Sequence, residues 1–348
     1  MTHTDWVLVG ALIIGVLFGA TGQRTGFCLL RGLKNRWESG DGRKLRAFAL
    51  AMAVGLLGSQ VLAAVTGLNF ADAVYAQRSV SWLMLPLGGV LFGYGMVLAN
   101  GCGARSLVLL GSGNLRALVV LLCLGIAAYM TMSGVFANAR LALEGATGIT
   151  LPAVSVPDWL VSLGLSGELA VWLSTVILAG VPAYYALSSP TFLRSTPDLL
   201  GGLVIGLLIV AGWWVTGVVG DDIFDPVRLA SLTFIAPVGD SLHYLMISTG
   251  ISLTFGVTIV AGVVLGSLVT ALVTGSFRWQ SFDSPHHMRR SVLGGTLMGV
   301  GGVLALGCSI GQGLTGYSTL SLTSYLALAG IVFGTWLGVK SPLKVSTG

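Results

Sequence analysis

The segment that runs from Pro86 through Gly88-Gly89, Gly93, Gly95 and Gly101 to Cys102-Gly103-Ala104-Arg105 returns 206 positions later in one unbroken register. With Cys102 laid on Cys308, Gly88, Gly89, Gly93, Gly95 and Gly101 fall on Gly294, Gly295, Gly299, Gly301 and Gly307, and Ser112 falls on Ser318. Glycine is common here, 51 of 348 residues, so a single match means little. Five in register beside one of only 4 cysteines mark a duplication. The chain must therefore be built from one unit used twice.

The medium for that unit follows from composition. A mean hydropathy of +0.89, with 54% hydrophobic and 9% charged residues, places the whole chain in a bilayer. Apolar spans are expected near 6–22, 45–67, 82–99, 116–137, 167–187, 199–219, 250–275, 292–307 and 324–339. The expected fold is an all-α integral membrane protein of about nine transmembrane helices in a single domain. Within it, 6–137 form a first repeat, 138–198 a linker holding the fifth span, and 199–339 a second repeat. The stretch 138–166 is too polar and proline-interrupted to cross, and 151–165 is expected to lie on the outer surface or cap the fold. Trp213 and Trp214 read as interfacial or packing residues, and His286 and His287 as loop residues.

The formal net charge of +5 suits cytoplasmic anchoring rather than nucleic-acid binding. If the amino terminus is outside, the inner segments hold Arg24, Arg31, Lys34, Arg36, Arg43, Lys44, Arg46, Arg105, Arg116, Arg194, Arg278, Arg289, Arg290, Lys340 and Lys344. That leaves only Arg78, Arg140 and Arg228 outside, with most acids, including Asp158, Glu168, Asp221, Asp222 and Asp225. Under this assignment the span ending at Cys102 runs inward and its copy ending at Cys308 runs outward, so the repeat is inverted, a 4+1+4 plan. Gly10 and Gly15 match Gly201 and Gly206 at one constant offset and extend the correspondence.

Two spans are short or Gly-interrupted and end in Gly-Cys, at Cys102 and Cys308; broken segments at matching places in two halves point to a transport site. Cys28, in Arg24-Thr25-Gly26-Phe27-Cys28, follows the first span in a similar setting. If these re-entrant breaks turn the backbone N–H groups of the following short helices toward an axis, Cys28, Cys102 and Cys308 line a path suited to an anion. A neutral thiol is a weak donor on a soft sulfur, so a soft sulfur anion fits best. Cys123 sits in an uninterrupted span and reads as a small hydrophobe. Arg24 and Arg105 are supporting candidates that equally serve as snorkelling anchors; Asn100, Ser309 and Gln312 are supporting candidates that equally satisfy broken backbone. With no Cys-X-X-Cys pair and no histidine at ligand spacing, no metal or cofactor site is expected.

Four segments together resemble the YeeE/YedE sulfur-transport family: Gly101 to Arg105, Gly307 to Gly313, Thr25 to Cys28, and Phe234 to Gly239. The resemblance spans nearly the full length. It implies an hourglass of inverted repeats in a bacterial inner membrane, taking up thiosulfate through S–H···S contacts at Cys28, Cys102 and Cys308, beside a small soluble sulfur-carrier protein in the cytoplasm. Members linked to selenium or other sulfur compounds leave other cargo open. A membrane thiol oxidoreductase is the enzymatic alternative, but no closely spaced cysteine pair or quinone or haem site supports it, so no enzymatic activity is expected. A membrane assembly protein with incidental thiols is the third reading.

Overall fold

Apolar runs of this length satisfy their backbone internally as helices, and the computed structural model is mostly helical over the residues it describes, 3–221, 227–282 and 284–341. Asp222, Asp225 and Lys344 of the charge count lie outside the described residues. The first half holds α1 (His3–Thr25), short α2 (Leu29–Glu38), α3 (Arg43–Thr66), strand β1 (Ser79–Ser81), α4 (Met84–Leu98), short α5 (Gly103–Gly111) and α6 (Leu115–Met132). α7 (Ala137–Thr147), strand β2 (Gly148–Thr150), α8 (Val156–Ser162), α9 (Gly167–Leu187) and α10 (Pro190–Leu193) connect it to the second half. There α11 (Thr196–Trp214) runs on as a π-helical stretch (Val215–Val219), followed by α12 (Ile235–Ile247), α13 (Phe255–Val273), α14 (Pro285–Leu304), a π turn (Gly311–Gly316) and α15 (Leu322–Lys340).

The chain is a multi-pass membrane protein. Among the described residues, 8 helical segments are long and apolar enough to cross, with α1 and α2, α4 and α5, and α11 and its π-helical extension each counted together, and they take up eight of the nine expected spans. The ninth, 292–307, falls in α14, whose first turns carry His286, His287, Arg289 and Arg290 and dilute its hydropathy.

Lipid tails are as apolar as leucine, so helices here associate through close backbone approach, and the duplicated glycines supply it. α4 and α14 cross antiparallel. A Cβ at Gly95 would lie 2.7 Å from the Gly294 carbonyl oxygen, and one at Gly301 would lie 2.6 Å from that of Gly88. The other two duplicated pairs face outward from this crossing. Gly89 and Gly93 pack along α15 at Ala327 to Thr335, and Gly295 and Gly299 along α6 at Val120 to Ala128, each time with the two helices parallel. Aligned glycines therefore make equivalent contacts. α1 packs parallel to α13 and α3 parallel to α11, so each half supplies the partner of the other's opening helix. Gly15 meets Ile259 and Gly262 on α13, while Gly206 meets Ala51 and Val54 on α3.

Loop pairings sort the connections onto two ends. At one end β1 pairs antiparallel with β2, and Ser155 bridges Ser321. At the other, Leu115 N–H donates to the Gln280 carbonyl at 2.9 Å, and Lys44 Nζ pairs with Asp198 Oδ1 at 2.6 Å. Each of these four pairings joins segments that the charge count assigns to the same side.

Several local expectations change. No helix was expected between 219 and 250, yet α12 lies there; its 13 residues with Asp240 and His243 are too short and too polar to register as a span. His286 and His287 belong to the first turn of α14, capped by Ser284 and opened by Pro285, rather than to a loop. The stretch 151–165 contains α8, held by a capping box at Ser155 and Asp158. Trp213 is fully buried, its Nε1–H donating to Ser318 Oγ at 3.0 Å, whereas Trp214 is half exposed.

Candidate functional site

The duplicated breaks are copies down to single hydrogen bonds. At the end of α4, Ala99, Asn100 and Gly101 donate to the carbonyls of Gly95, Val97 and Met96 at 2.9, 3.2 and 3.0 Å. At the end of α14, Ala305, Leu306 and Gly307 donate to those of Gly301, Val303 and Gly302 at 2.9, 3.1 and 2.8 Å. Each partner lies 206 positions from its counterpart. Asn100 (φ 58°) and Leu306 (φ 57°) are both left-handed, a conformation uncommon in residues other than glycine and held only where the surroundings impose it. The matched strain releases each helix so that the next residue but one is an extended cysteine or the start of the turn that follows it. Cys102 then caps α5, and its carbonyl accepts from Ser106 N–H at 2.9 Å; the Cys308 carbonyl accepts from Gln312 N–H at 2.7 Å.

A third break follows α1. Gly26 takes φ 63°, so this turn favours glycine for its backbone, and the Arg31 guanidinium lies 2.8 Å from where a Cβ would stand. Cys28 is extended and caps α2. The fourth break precedes α12, whose N-cap is Phe234. Short helices thus start from Cys28, Cys102 and Phe234, and the π turn starts just beyond Cys308.

These four starts meet. The Cys28 thiol contacts the Cys102 thiol, Cys102 contacts Ser309, and Cys308 contacts the backbone of Phe234. Cys308 Sγ accepts the Gly311 N–H at 3.3 Å. Phe234 packs on Phe18 with ring centroids 5.2 Å apart. Cys28, Cys102 and Cys308 are 6%, 2% and 0% exposed, and all are free thiols. The void between Cys28, Cys102, Phe18, Phe27, Arg105 and Ile310 is about 10 Å3, room for a single water at most. On the β1–β2 side of this constriction opens a cavity of about 520 Å3 walled by Arg228, Thr233, Pro237 and Asp240. Its Thr233 hydroxyl and the Tyr75 hydroxyl both stand over Gly311, the donor to Cys308. Burial holds the Tyr75 phenol protonated far above its ordinary range, so it is a neutral group at this floor.

Of the supporting candidates, Arg105 and Ser309 are at the constriction. Arg105 lines the void and donates to the Gly22 carbonyl at 3.1 Å. Gln312 is fully buried, its Nε2 donating to the Ala305 carbonyl at 2.6 Å, which is the backbone-satisfying role. Arg24 is exposed on the last turn of α1, and Asn100 is exposed beside a separate pocket, so neither is brought to the thiols. Cys123 also stays apart, half-buried on α6 beside Gly295. Phe234, Thr233, Tyr75 and Arg31 were not read as site residues. Only Phe234 had a signal, as part of a recognised segment without a role. Among the described residues, no group of His, Cys, Asp and Glu is placed to hold a metal ion.

The family of sulphur transport proteins matches residues 24–337, a stretch that takes in all four breaks. The chain belongs to the sulphur transport family. Its members serve transport rather than catalysis, and the resemblance carried by the four segments is thereby borne out. Two relatives are similar over almost their whole lengths. The thiosulfate transporter TsuA of Escherichia coli (strain K12) is 25% identical over 350 residues, covering 95% of this chain and 93% of the relative. The thiosulfate transporter TsuA of Spirochaeta thermophila is 28% identical over 354 residues, covering 93% and 96%.

Proposed function

We propose that this protein takes up thiosulfate across a bacterial inner membrane through the constriction lined by Cys28, Cys102 and Cys308. The observation that carries the reading is the meeting of three buried free thiols, from three separate breaks, beside N–H groups that open short helical segments. A soft terminal sulfur accepts S–H contacts without being repelled, which a carboxylate lining would not allow. Backbone dipoles at the starts of the short helices offset part of the anion's charge. The names borne by the two relatives favour thiosulfate as cargo. Since the void of about 10 Å3 is too small for it, passage requires the breaks to part around the cargo.

The proposed frame is an inverted repeat of 6–137 and 199–339 around a linker, 138–198, with the amino terminus outside and the carboxyl terminus in the cytoplasm. A carboxyl-terminal reporter is then active only when it folds in the cytoplasm; activity confined to the outside would sink the orientation. Entry of a divalent anion against an interior-negative potential works against about 4.6 kcal/mol per 100 mV, taking about 2.3 kcal/mol for each charge. Removal by a small cytoplasmic sulfur-carrier protein, the partner proposed here, would keep the internal concentration low. Uptake of labelled thiosulfate by cells expressing the chain, with sulfate and sulfide as competitors, tests the assignment. Uptake no greater than in cells lacking the chain removes it.

A further inference from the structure

Ser309 is 0% exposed, and its Oγ has no hydrogen-bond partner among the described residues. It follows Cys308 in the chain, and the Cys102 thiol, a weak acceptor, lies beside it across the constriction. The next hydroxyls along the same segment behave differently. Thr315 donates to the Leu232 carbonyl at 2.6 Å, Ser318 to that of Thr315 at 2.7 Å, and Thr319 to that of Gly316 at 2.8 Å. The carbonyl of Ala305, four residues before Ser309, is already taken by Gln312 Nε2. A buried hydroxyl left over in this way is costly, and beside an anion path the cargo can supply its partner.

We propose that Ser309 is the oxygen-recognising group of the constriction, donating its O–H to a sulfonate oxygen of thiosulfate while Cys102 and Cys308 contact the terminal sulfur. The assignment rests on the thiol-lined reading of the path and adds to it. Thiosulfate has one soft end and one hard end, and thiols by themselves address only the soft one. A hydroxyl beside two thiols lets one constriction hold both ends, and it fixes the direction in which the anion lies. The hydroxyl is suited to this because O–H is a stronger donor than S–H.

The test uses the purified full-length protein in proteoliposomes, with labelled thiosulfate uptake and thermal unfolding measured on the same preparations. Ser309→Ala is expected to lower uptake about tenfold, the loss of one hydrogen bond of about 1.4 kcal/mol. Its unfolding midpoint without thiosulfate should be no lower than wild type, because the hydroxyl removed has no nitrogen or oxygen partner in the protein. The upward shift that thiosulfate produces in the wild type should shrink. A loss of uptake accompanied by a lowered midpoint would make Ser309 a packing residue and overturn the assignment, as would uptake within twofold of wild type. Ser309→Cys keeps the bulk but softens the donor, so wild-type uptake by that variant also overturns it. Cys308→Ser, run alongside, separates the two ideas. If it transports normally, the thiol reading itself fails; if it is impaired while Ser309→Ala is not, only the Ser309 assignment falls.

Discussion

Replacing Cys28, Cys102 or Cys308 singly by serine is expected to cut thiosulfate uptake by ~10- to 100-fold, while Cys123→Ser leaves it near normal. The size follows from exchanging a contact to a charged, largely dehydrated cargo, worth about 1.5–3 kcal/mol, at about 1.4 kcal/mol per decade. The three sites are 6%, 2% and 0% exposed and touch one another or the groups between them, so bulk water cannot compensate for what each loses. Serine preserves shape but is a harder donor with a stronger claim on water. Cys123, half-buried on α6 beside Gly295, borders none of the constriction and supplies the internal control. Uptake assayed against the amount of folded protein in the membrane decides the matter. Equal tolerance at all four positions would eliminate the thiol mechanism. Should the three variants instead carry sulfate at the rate at which the wild type carries thiosulfate, the thiols select the cargo without forming its path.

Gly93→Leu is expected to abolish accumulation of folded protein, whereas Gly180→Leu is tolerated. A Cβ at Gly93 lands on the Ile331 carbonyl oxygen and 2.8 Å from the Thr335 nitrogen, so α4 and α15 must separate to admit any side chain. Overpacking against backbone costs about 3 kcal/mol or more, because a neighbouring helix cannot rotate out of the way as a flexible side chain can. It also frees α4, which carries the break at Asn100 and hence Cys102. Gly180, on α9, has nothing within 4 Å of its would-be Cβ, and leucine there extends toward lipid. The yield of monodisperse protein after detergent extraction, followed by thermal unfolding, measures both. A Gly93→Leu protein as stable as the wild type would show that the α4·α15 contact is not needed for assembly.

Much of this arrangement was legible because a bilayer allows few solutions. Backbone must be satisfied within each span, so apolar length alone located eight helices, and an exact register of glycines exposed the duplication. The register holds because each glycine is required twice by the same kind of contact: Gly95 against Gly294 and Gly301 against Gly88 at one crossing, Gly93 and Gly299 against the outer neighbours. The break at Phe234 was harder to find. Where the other three carry Gly and Cys, it carries a large aromatic, and the helix after it contains Asp240 and His243, so neither composition nor length marks it as belonging to the membrane. Asp240 is in fact bonded by the Tyr129 hydroxyl at 2.5 Å, a pairing between residues 111 apart that no local pattern encodes.

Arg24 and Ser309 divide the two kinds of knowledge. In the sequence both are polar residues near a cysteine, and both are reasonable ligands. Arg24 leaves the constriction because it lies on the outward face of the last turn of α1, while Ser309 enters it because Leu306 and Gly307 turn the chain before it. The sequence by itself determined the membrane class, the duplication, the positions of the breaks at three cysteines and the family, since all of these reside in local composition and spacing. Only the tertiary structure decided that Cys28 touches Cys102, that Phe234 packs on Phe18, and that the Ser309 hydroxyl is left without a nitrogen or oxygen partner. Those facts depend on how four helix ends are brought together by crossings far away in the chain, and proximity of that kind is set by packing rather than by any one segment.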